Sequence, residues 1–213
     1  MDNKINNNGF EYVDLELPSG TLWATMNVGA SKPSDYGLYF QWGDTKGYAA
    51  DQVGKEDGKK IFSKYWDDYK WYKSGSEIED NVTFKKYTTT GATLELEDDA
   101  ANVHMGGDWH MPTPNQFQEL IDNTIHFWTT LDGVNGMRFT SKTDTSKFIF
   151  IPATGFAIDG LIIGIERCGF VWSNMLNSIH NDSGQELGFI SFGANLYAYL
   201  SRCCGLSVRG VIG

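Results

Sequence analysis

The feature that most constrains the fold is a succession of short apolar runs, each closed within a few residues by Gly, Pro, Ser or Asp. Near the start they read FEYVDLEL, TLWATMNV and LYFQWG. After Gly136 they read MRFTS, KFIFIPAT, GFVWS, ELGFISF, NLYAYL and GLSVRGVI. β-Branched and aromatic residues bounded by turn formers predict short strands rather than long helices. Such runs stand at both ends of the chain, so a terminal strand from each half can pair and close the fold on itself. With 41% hydrophobic residues in 213, the chain is long enough to bury its own core. The expectation is one domain over residues 10–213, after a polar, Asn-rich lead-in at 1–9.

Helical signals are confined to the middle. Thr113 is placed to cap, Pro114 takes the first helical position, Gln116 completes a capping box, and Phe117, Leu120 and Ile121 share one face. A shorter helix is predicted over 98–103. Residues 47–90 differ in character, with clustered Lys and Asp and the aromatic block YWDDYKWY. They predict a long insertion with little regular structure, pinned to the body by its aromatics. The fold class is therefore α+β, with mostly antiparallel strands, two helices and paired termini.

Charge narrows the partners. Asp and Glu number 27 against 17 Lys and Arg, a net charge of −10. Without a concentrated basic patch, such a surface repels phosphate backbones and anionic headgroups, which argues against nucleic acid as a partner. No stretch approaches the roughly 20 apolar residues of a membrane helix, and MDNKINNNGFEY has no hydrophobic signal core, so neither membrane insertion nor a signal peptide is expected.

Residues able to carry chemistry are scattered. His104, His110, His126 and His180 lack the spacing of converging metal ligands and read as structural or surface residues. The acidic run Glu95, Glu97, Asp98 and Asp99 has the oxygen chemistry of a calcium site, but helix capping accounts for it better. There is no nucleophile elbow and no phosphate-binding glycine loop, and Cys168, Cys203 and Cys204 read as free thiols. No catalytic residue, metal or cofactor is assigned. The tail ANLYAYLSRCC is more informative, because Tyr197, Tyr199 and Arg202 are side chains that supply binding energy at low conformational cost.

Several phrases occur here in one order: YVDLELPSGTLWATMNVGASKPSDYGLYFQWGDT, TLELEDDAA, GGDWHMPTPNQFQELID, VNGMRFTSK, FIPATGF, VWSN and GLSVRGV. In them the chain resembles the Fibrobacter succinogenes major paralogous domain family of gut Bacteroidetes and their phages. The resemblance runs from about Tyr12 to Val211 and departs at Met26, where Cys is frequent, and at Gly210, where Pro is usual. It implies a C-type lectin-like fold, shared with formylglycine-generating enzymes and with the variable proteins of diversity-generating retroelements. In those variable proteins, mutagenised Asn codons cannot become Lys, Glu, Gln, Met or Trp. Every residue from 194 to 204 obeys that rule.

The resemblance thus implies a non-enzymatic, adhesin-like ligand-binding protein displayed on a virion or cell surface. Its diversified surface is expected to comprise Ala194, Asn195, Leu196, Tyr197, Tyr199, Leu200, Ser201, Arg202, Cys203 and Cys204. Asn174, Asn177, Ile179 and His180 from the segment after Val-Trp-Ser are expected to add to it. Arg202 fits either a variable anchor or fixed framework. Two alternatives stand beside this reading: a glycan-binding or adhesin module without diversification, and a copper oxidase using Cys203 or Cys204. Adjacent cysteines on a strand point to opposite faces, which counts against the oxidase.

Overall fold

The computed structural model describes residues 4–5, 8–56, 58–75, 81–197 and 199–213. Its first sheet is assembled from both ends of the chain. β1 (Lys4–Ile5), β2 (Glu11–Asp14) and β3 (Leu22–Asn27) form an antiparallel meander. The last strand of the chain lies on the free side of β3, with Val211 opposite Trp23 and Ile212 opposite Leu22. The expected pairing of terminal strands is present.

After β4 (Tyr39–Phe40) comes the insertion. Its regular structure consists of short pairings, β5 (Lys55–Glu56) with β6 (Lys59–Lys60) and β7 (Tyr72–Ser74) with β8 (Thr83–Phe84); the other described residues of 49–90 are turns and loops. Aromatic burial holds it in place. Trp66, Tyr69 and Phe84 pack together around Cys203, while Ile61 and Phe62 pack with Tyr39 and Ala157.

α1 (Ala100–Met105) begins later than predicted, because residues 96–98 form a 3-10 turn and Asp99 becomes the cap. The Asp99 carboxylate accepts from Asn102 N at 2.9 Å and Met111 N at 2.8 Å, so the capping account of the acidic run holds at that residue. α2 (Pro114–Asn123) has the predicted capping box: Thr113 Oγ1 accepts from Gln116 N, and Gln116 Oε1 accepts from Thr113 N at 2.9 Å. Thr113→Ala is expected to cost about 1 kcal/mol in chemical denaturation, and Thr113→Ser much less.

β9 (Thr124–Leu131) follows α2 directly and was not predicted. It forms a hairpin with β10 (Val134–Ser141) through Asp132 and Gly133, at φ 51° and 84°, the left-handed pair that a tight two-residue turn requires. β11 (Phe148–Pro152) completes that sheet. A second Asp-Gly turn, Asp159 and Gly160, joins β12 (Phe156–Ile158) to β13 (Leu161–Ile163).

The largest sheet has the order β16-β15-β14-β17-β4, with β14 (Cys168–Leu176), β15 (Gly184–Ile190), β16 (Gly193–Tyr197) and β17 (Leu206–Ser207). Beyond Val208 the chain leaves it for β18 (Arg209–Ile212) in the first sheet. Arg209, fully buried, ties the crossing together by donating to Ala24 O and Phe150 O at 2.9 Å each. Burial opposes its charge and holds its pKa below the usual arginine value.

Both faces of this sheet are packed. Phe170 and Trp172 enter a cluster with Trp42, Trp109 and Val208, and Val171, Leu187 and Phe189 enter another with Phe117, Leu120 and Phe139. Strand accounts for 41% of the chain and helix for about 10%, and the pairings are antiparallel apart from β14 with β17 and one isolated bridge, which fixes the class as α+β. No helix among the described residues is long and apolar enough to cross a membrane.

Candidate functional site

Strand geometry sorts the 194–204 stretch into two parts. In β16 successive side chains alternate faces, so Ala194 and Leu196 turn down onto the cluster around Phe117 and Leu120, and Asn195 and Tyr197 turn up. The two downward residues are therefore scaffold rather than the expected surface. Tyr197 is held by a close approach: its ring crosses Gly188 of β15, where a Cβ would sit 2.5 Å from Tyr197 Cδ2. Tyr199 packs edge-on against it, ring centroids 5.3 Å apart. Both rings remain accessible, at 37% and 58%.

Beyond Tyr199 the chain turns inward, and four expected surface residues are corrected. Leu200, Arg202, Cys203 and Cys204 are buried. Cys203 packs with Trp66, Tyr69 and Phe84, whereas Cys204 enters the other cluster beside Trp42, so the two thiols do not converge on one point. Arg202 is framework. Its Nε donates to Tyr69 OH at 2.6 Å, Nη1 to Tyr87 O and Asn181 O at 3.0 and 2.9 Å, and Nη2 to Lys86 O at 3.2 Å. The guanidinium also lies 4.0 Å from the centre of the Phe84 ring. It binds the insertion and the 177–183 turn to the body.

That turn supplies the rest of the site. Asn177 is buried, and its Oδ1 accepts from Ile179 N at 2.7 Å and His180 N at 3.3 Å, so it shapes the turn instead of meeting a ligand. Ile179, 74% exposed, and His180 project from the turn, as expected of contact residues. Asn174 is half-buried, its backbone bonded to Pro112 and Leu94, and it takes no part in the groove described next. Ser201 is half-buried and bridges Ser183.

Between Tyr199, Ser201 and the 179–183 turn lies an open groove of about 490 Å³. Val82 and Thr90 of the insertion form part of its wall, and Asn181 is fixed by donating to Thr88 O at 2.7 Å. Sequence reading singled out neither these two residues nor Ser183. The lining mixes hydroxyl, amide, imidazole and carboxylate groups with one tyrosine face, a set suited to hydrogen bonding and stacking.

No family model, curated protein or solved structure matches the chain. The acidic run offers a second cluster, where Glu95, Glu97 and Asp98 converge. A lysine fills it: Lys86 Nζ lies 2.6, 3.2 and 2.6 Å from the three carboxylates, with Lys70 Nζ on Asp98 at 2.8 Å. Burial pushes the Asp98 pKa up, but the hydrogen bonds from Lys70, Lys86 and Tyr87 outweigh it and leave the group below its ordinary value.

Proposed function

We propose that the chain is a non-enzymatic ligand-binding protein of C-type lectin-like fold, whose contact surface is formed by Ile179, His180, Asn195, Tyr197, Tyr199 and the groove beside them. The exposed Tyr197–Tyr199 pair, seated over Gly188 at the groove's edge, carries this reading. Paired tyrosines, one at the end of a fixed strand and one just beyond it, offer area and a hydroxyl with few rotors left to freeze. The motif order and the terminal strand pairing support the family reading. The burial of Arg202, Cys203 and Cys204 confines any diversification to the exposed positions. In a template copy of this gene, mutable Asn codons are then expected opposite positions 195, 197 and 199, and codon 202 is expected to be spared.

The test uses the purified chain and a Tyr197→Ser/Tyr199→Ser variant, scored against fixed gut-bacterial cells and a glycan array with and without calcium. The wild type is expected to bind at least one target and the variant to lose at least about tenfold in affinity. Equal binding by both proteins sinks the proposed site. A glycan ligand is the second reading, favoured by the polar lining around Tyr199. Binding confined to sugars on the array would select it.

A further inference from the structure

Beneath the candidate surface lies a carboxyl group that the binding reading does not use. Glu186 of β15 is fully buried, and neither of its oxygens has a hydrogen-bond partner. It stands between Trp172 of β14 and Tyr197 of β16, its cross-strand neighbours on the same face. The backbone N–H groups of Tyr199 and Leu200 are directed towards it without closing a hydrogen bond. The segment that seals it from water is thus the one that carries Tyr199. A buried carboxyl without a partner is tolerated when neutral and strongly disfavoured when charged.

We propose that Glu186 is a proton latch under the Tyr197–Tyr199 surface: its neutral carboxyl lets the 199–201 segment close over the sheet, and loss of the proton to solvent base releases that segment. The functional meaning of the latch, control of ligand binding by pH, rests on the binding reading above. The titratable groups facing Glu186 are Tyr197 of β16, Tyr199 on the segment that follows it and, beyond Tyr199, Cys168 of β14. Burial raises the pKa of both the Tyr199 phenol and the Cys168 thiol, which keeps them neutral while the carboxyl titrates. Glu186 forms no ion pair among the described residues that would hold its charge in place.

The direction of the pH effect follows from linkage. Burial raises the closed-state pKa to about 8 from an ordinary 4.5. The released segment restores the ordinary value, so the open form gives up its proton first. Closure is therefore favoured at low pH and weakens about tenfold per unit between roughly 4.5 and 8, levelling off above. From pH 6.5 to 9 the open population rises about 30-fold.

Amide hydrogen exchange of the whole chain without ligand reads this directly. Gly184 N donates to Leu200 O at 3.1 Å, a bond that release breaks. In the wild type, protection of Gly184 is expected to fall about 30-fold between pH 6.5 and 9, relative to Glu186→Gln and Glu186→Leu at each pH. Amides of β10 should not change. Wild-type protection that tracks both variants overturns the latch, and so does an equal loss in β10, which would mean unfolding of the chain as a whole. Since no ligand enters this experiment, a failed latch leaves the binding reading intact. Unchanged binding by the double tyrosine variant would remove that reading and leave the latch standing.

Discussion

Replacing Arg202 by Ala is expected to lower the unfolding free energy by about 4 kcal/mol in denaturant titrations, a large share of what holds a domain of this size together. Three backbone carbonyls, of Lys86, Tyr87 and Asn181, would lose their guanidinium donor in a region with little water to replace it. A cavity would also open beside Phe84 and Trp42. Arg202→Lys separates charge from geometry. A single ammonium cannot span Tyr69 OH and the three carbonyls, so it should recover only a minor part of the loss. A loss below about 1 kcal/mol for Ala would show that the hydrogen bonds around Arg202 contribute little.

The same residue ties stability to the site. Asn181 lies in the groove, and its carbonyl is one of the Arg202 acceptors. An Arg202 variant should therefore disturb the position of Ile179 and His180 even where the chain stays folded. This separates it from Tyr199→Ser, which removes contact area without touching the framework. A fully buried cation on three chain segments is a poor candidate for variation, whatever its value as an exposed anchor elsewhere.

Sequence reading reached the elements whose signals are local. The capping box of α2 lies within four consecutive residues, and the terminal strands announce themselves by composition. β9 was missed although Asp132-Gly133 marks its turn: the apolar runs that predict strands resume only after Gly136, and Thr124 to Leu131 is not among them. The burial of Leu200 to Cys204 was missed for another reason. Arg202 meets partners 133, 115, 116 and 21 residues away, and no local pattern in SRCCG encodes them. Alternation within NLYAYL was legible in principle, since Asn195 and Tyr197 on one face with Leu196 on the other is an ordinary period of two. Placing Ala194 and Leu196 on the surface beside Asn195 and Tyr197 ignored it. Glu186 offered no signal at all, for a charged residue in a strand is normally on the solvent face.

The sheet beneath the site makes the second large effect, at Gly169 in β14. Gly169 stands opposite Phe189 of β15, and the Phe189 ring covers it so closely that a Cβ would lie 2.1 Å from Cζ. Phe189 is only 2% exposed and packs with Trp128 at a ring separation of 6.4 Å, so it has little room to move aside. Gly169→Ala is expected to cost about 3 kcal/mol by displacing that ring. Phe189→Ala should cost about 4 kcal/mol through lost burial and the cavity it leaves. If the clash with the ring is the whole cause, the two losses cannot add. The double variant should then unfold near the Phe189→Ala midpoint, with a coupling of about 3 kcal/mol. Additive losses would place the cost of the Gly169→Ala change in the backbone instead. They would also mean that the glycine serves the bridge between β14 and Gly155, rather than the ring that anchors β15 beneath Glu186 and Tyr197.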